Sequence, residues 1–137
     1  MGAMGAIFVA RSVKFCKWAS DVGLSKHVFK LGYSEGNPKD DVARGWAGED
    51  DWALVKQEKA EGLSEAQLVE RVSAKIKMID PKYYPRLKDA IGLFKLDPVQ
   101  VENHILVARA LKSEAESLAI KLKPADFAAY LIELARY

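Results

Sequence analysis

At 137 residues, half of them hydrophobic and 29% charged, the chain is large enough to bury one core and too apolar for general disorder. Its single cysteine, Cys16, excludes an internal disulfide, and no apolar run approaches the roughly 18 residues of a membrane span. The net charge of +2 hides an alternation: residues 1–34 carry five Lys/Arg against one acid, 35–70 four against ten, and 71–95 seven against two. Two basic stretches around an acidic one are able to fold into a basic face that meets phosphates, or to spread over a solvated surface. The apolar start Ile7-Phe8-Val9-Ala10 precedes Arg11, Lys14 and Lys17, the reverse of the order in a secretory signal, so a soluble cytoplasmic location is expected.

Ile7–Ala10 and His27–Tyr33 are short runs rich in strand formers, and Gly32 marks a bulge or a close backbone approach in the second. The stretch between them has room for a helical turn around Phe15, Trp18 and Ala19. Asn37-Pro38-Lys39-Asp40-Asp41 is a helix start: Asn37 caps, Pro38 suits the first helical position, and the aspartates complement the positive end of the dipole. That helix is expected to run through Val42, Arg44 and Trp46 to Gly48. Trp52–Gln57 reads as a third strand.

Ser64-Glu65-Ala66-Gln67 is a capping box opening a helix with Leu68, Val72 and Ile76 on one face, expected to end before Asp80-Pro81. Gly92–Leu96 has the makings of a further short strand. Asp97-Pro98 and Pro124 open two last helices. The order predicts an α/β domain over 1–137: a small, mainly antiparallel three-stranded sheet flanked by helices, with 91–137 as a helical C-terminal extension.

Most standard chemical motifs are missing. Gly32 and Gly36 lack phosphate-loop spacing, and one cysteine with two histidines does not make a structural zinc site. His27 reads as a strand residue with a satisfied ring and His104 as a polar-face helix residue. Tyr83 and Tyr84 lie among Lys75, Lys77, Lys82, Arg86 and Lys88. Rings interleaved with cations suit stacking on bases and contact with phosphates, and equally suit a packed loop.

Gly5-Ala6-Ile7-Phe8, Phe29-Lys30-Leu31-Gly32-Tyr33-Ser34, Arg44 on the Pro38 helix, and the strand Trp52–Val55 resemble, in that order, the GIY-YIG nuclease superfamily, in its divergent branch with a Lys-Ile-Gly core. The stretch from Leu68-Val69-Glu70 through Lys75 and Lys77 to Pro81-Lys82-Tyr83-Tyr84 resembles the region after the metal-binding glutamate in the nuclease domain of bacterial excision repair. The resemblance spans residues 5–90. It implies metal-dependent phosphodiester hydrolysis on nucleic acid, with Arg44 on the phosphate, Lys30 at the second tyrosine position with Tyr33 close by in sequence but on the opposite face of the strand, and Glu70 holding magnesium or manganese. Phe8 departs from the pattern in having no hydroxyl, and Lys30 replaces a tyrosine. The alternatives are an ion pair of Arg44 with Asp40 or Asp41, and a solvated Glu70. Lys77, Lys82, Tyr83, Tyr84 and Arg86 are the expected nucleic-acid contacts. The other possible functions are a non-catalytic module of the same fold, binding nucleic acid or a protein, and a homodimer formed through the C-terminal helices.

Overall fold

The computed structural model describes residues 5–24, 27–46, 49–60, 62–79, 83–84, 90–111 and 122–136. Along them run β1 (Ala6–Arg11), α1 (Val13–Asp21), β2 (Val28–Ser34), α2 (Pro38–Arg44), β3 (Ala53–Lys59), α3 (Glu65–Ser73), β4 (Leu93–Lys95), α4 (Pro98–Leu111) and α5 (Pro124–Arg136). The strands form one antiparallel sheet in the order β3-β1-β2-β4. The α/β class is as expected, and Phe8, Phe29 and Leu54 share the sheet. There are four strands rather than three, because Leu93–Lys95 pairs with Val28–Lys30.

Alternation along the central strands decides the layers. Ile7, Val9, Phe29 and Leu31 point to one face, and Phe8, Ala10 and Val28 to the other. On the first face lie Leu68, Val69 and Val72 of α3 and Phe127, Ala128, Leu131, Ile132 and Ala135 of α5. On the second lie Phe15, Cys16 and Ala19 of α1 with Val42 of α2 and Trp52. The sheet is therefore covered by helices on both sides. No helix among the described residues is long and apolar enough to cross a membrane.

Local chemistry sets the helix ends. Ser12 caps α1 by accepting from the Phe15 amide at 3.0 Å, and its hydroxyl donates to Asp51. Asn37 caps α2 through the Lys39 amide at 3.0 Å, and Ser64 and Gln67 make both bonds of the capping box. The helix of Asp40, Asp41 and Arg44 ends earlier than expected. Gly45 takes φ +72°, where a side chain would strike the Glu49 carbonyl at 2.2 Å, so Trp46 leaves the helix and bridges to Glu49. The helix of α3 also stops early, at Ser73. Met78 bridges to Phe94 and the Ile79 amide donates to the Leu93 carbonyl at 2.8 Å, so this segment joins the sheet edge instead.

Helix α5 packs against the sheet and α3. Five residues of α5 are buried in the first cluster. Arg71 of α3 and Lys75 just after it donate to the Ala135 and Leu134 carbonyls at 3.2 and 2.6 Å, giving partners to two carbonyls in the last turn of α5.

Candidate functional site

Both glycines of the paired motifs lie under aromatic rings. In the β1–β2 register Phe8 faces Gly32, and a Cβ on Gly32 would fall 2.4 Å from the Phe8 ring. A Cβ on Gly5 would meet the Tyr33 hydroxyl, which donates to the Ala60 carbonyl at 2.8 Å. Gly32 thus serves a close approach of the kind its place in a strand suggests.

Lys30 lies at the end of its pairing with β4. Its side chain is 1% exposed, with Nζ donating to the Leu31 carbonyl at 2.8 Å, paired with Glu65, and 5.4 Å from the Trp46 ring centroid. Burial pushes this ammonium below its ordinary 10.5, and Glu65 pulls in the opposite direction without cancelling the effect. Lys30 is therefore a core cation rather than a surface group, and its shift runs in the direction a lysine base would need. Glu65, 35 residues away in sequence, reads only as a helix-start acid until the fold brings it here.

Tyr33 and Arg44 line one cleft with Glu35, Asp40 and Asp41. Arg44 is largely exposed and pairs with Asp41 at 3.6 Å, the alternative its helix allows. Glu70 is exposed on α3, whose buried side packs on the sheet face opposite to the one that α2 covers. Arg44 and Glu70 thus stand on helices separated by the sheet. Among the described residues no group of three or more His, Cys, Asp or Glu side chains is placed to hold a metal ion.

Three of the five expected nucleic-acid contacts lie around one pocket. Lys77, Tyr83 and Tyr84 line a pocket of about 520 Å³ together with Lys95, Leu24, Met78 and Ile79. Lys77 and Lys95 are exposed, and Tyr83 is 80% exposed. Tyr84 is half-buried, held edge-on against Trp18 with ring centroids 5.9 Å apart. Of the first basic stretch of the chain, the uncharged Trp18 and Leu24 stand at this place. Lys82 and Arg86 lie outside the described residues. Lys95 is the contact that the sequence reading did not single out. The strand that carries it is three residues long and shows no alternation, with Leu93 and Phe94 both buried and Lys95 exposed.

Of the helices expected to pair two copies, α5 spends its apolar face on the core, while α4 exposes Val99, Leu106 and Val107. No protein-family model, no curated protein and no solved structure matches the chain.

Proposed function

We propose that the chain binds nucleic acid through the Lys77–Tyr83–Tyr84–Lys95 pocket, as a GIY-YIG-like module that does not cleave its ligand. The convergence of these four side chains carries the reading. Two come from the turn at 83–84, one from the segment after α3, and one from β4, and they combine exposed aromatic area with two ammonium groups. Such a surface suits phosphates and base faces together. The order of elements supports the GIY-YIG relationship, with β1, β2, the Arg44 helix, β3 and the Glu70 helix in the family's order and α1 as an insertion between β1 and β2. The separation of Arg44 from Glu70 by the sheet, and the burial of Lys30, favour binding over hydrolysis.

The test is equilibrium binding of labelled DNA and RNA, in single-stranded and duplex forms, over a range of salt. Affinity should fall steeply as salt rises, because phosphate contacts release counterions. The double variant Lys77→Glu/Lys95→Glu should abolish it while leaving the far-ultraviolet circular dichroism unchanged. If no form binds at low salt, this reading is wrong and a protein partner takes its place.

A further inference from the structure

We infer that this surface takes a single strand and grips one dinucleotide step, with the phosphate on Lys77 and Lys95 and the two bases in depressions on either side; this rests on the nucleic-acid reading above. The Met78↔Phe94 bridge is antiparallel, so Lys77 and Lys95 flank it in register. Like charges directly opposite one another destabilise a strand pair unless something lies between them. Here Lys77 and Lys95 stand opposite one another in register at an exposed edge, which suits an anion.

A second observation places bases around that anion. Lys77 and Lys95 line two depressions rather than one: the pocket of about 520 Å³ and a smaller one of about 240 Å³ with Ile76, Leu96, Gln100 and Asp97, whose carboxylate accepts from the Val99 amide at 2.9 Å. The cations form the divide between two partly apolar hollows. Lys75 borders the smaller one, but its ammonium donates to the Leu134 carbonyl, which leaves Lys77 and Lys95 as the pair for the phosphate. On one side Tyr83 offers its ring to solvent, and Tyr84 is braced by Trp18. On the other, exposed Gln100 supplies an amide that both donates and accepts at a base edge.

This geometry selects against a duplex. Paired bases are stacked above and below and show only their edges, whereas a hollow beside a tyrosine ring accepts a base by its face. A strand whose bases are unstacked meets the aromatic, the cation pair and the second hollow in succession.

The experiment compares a labelled thymidine oligomer, the same oligomer with abasic sites, and a blunt duplex, each titrated against the full chain and its variants. The wild type should bind the oligomer at least tenfold tighter than the duplex. Tyr83→Ala should weaken oligomer binding roughly tenfold or more, while Tyr83→Phe retains it. Abasic substitution should cost the wild type a similar factor and cost Tyr83→Ala little, because each removes one half of the same stack. Lys77→Gln should lower the salt slope by about 0.7, the loss of one phosphate contact on a single strand. Tyr83 is exposed enough that its replacement leaves the fold in place. If the duplex binds as tightly as the oligomer, and Tyr83→Ala changes nothing while Lys77→Glu/Lys95→Glu abolishes binding, the surface holds nucleic acid but the single-strand step is wrong. If nothing binds, both fall together.

Discussion

Gly32 has no room for a side chain because the Phe8 ring lies over it, so a methyl group there must displace an aromatic in the core. Gly32→Ala should destabilise the protein by about 1–3 kcal/mol, the usual range for overpacking, read as a lower urea midpoint at unchanged slope. Pairing it with Phe8→Leu should recover part of that loss, since the two side chains compete for one space. Lys30 poses the opposite question, a cation in the core. Its value in the folded protein lies below 10.5, so between that lowered value and 10.5 the unfolded chain binds more protons than the folded one. Stability should therefore rise with pH across that window. Lys30→Met keeps the aliphatic stem and removes the charge; it should flatten that part of the profile and be neutral or stabilising near pH 7. Glu65→Ala leaves the ammonium without its carboxylate and should cost about 1–3 kcal/mol. The same change in a Lys30→Met background should cost much less. Urea midpoints of the four proteins against pH decide this.

Helix α5 is built as a core helix, with Phe127, Leu131, Ile132 and Ala135 at helical spacing on the buried side. Leu131 is fully buried, so Leu131→Ala should cost about 2–5 kcal/mol, the range for a large aliphatic removed from a packed site. Val107→Ala on α4, at a position 60% exposed, should stay within about 0.5 kcal/mol. Similar losses at the two positions would mean that α4 is covered in solution. The contrast follows from placement, since α5 crosses the sheet face that holds Ile7, Val9, Phe29 and Leu31.

The sheet divides the molecule into two chemical surroundings. Arg44 belongs to a helix packed with Phe8, Ala10 and Trp52, and Glu70 to a helix packed with Ile7, Val9 and Leu31. A metal-bound phosphate has to touch both groups at once, through the ion and its waters. Incubation with magnesium or manganese should therefore leave single-stranded and duplex DNA and RNA intact on denaturing gels. Arg44→Ala and Glu70→Gln should bind labelled oligomer as the wild type does, because neither residue borders the tyrosine pocket. Metal-dependent cleavage lost in both variants would overturn the binding-only reading.

Local chemistry written in consecutive residues was sufficient for much of this fold. Ser64 and Gln67 close a capping box, Asn37-Pro38 starts a helix, and the strands around Phe8, Phe29 and Leu54 form where alternating or continuous apolar runs occur. Such features depend on neighbours within about four residues, so the sequence carries them directly. The gathering of Lys77, Tyr83 and Tyr84 was anticipated in part for the same reason. The rest needed partners distant in the chain. Glu65 meets Lys30 across 35 residues, Phe94 draws Met78 out of a helical continuation, and Lys95 joins Lys77 only through that bridge. The sheet face on which a helix packs is likewise a property of the whole assembly. Side-chain period shows which residues of a helix are buried, but not which side of the sheet buries them; for Arg44 and Glu70, that choice was made by tertiary packing alone.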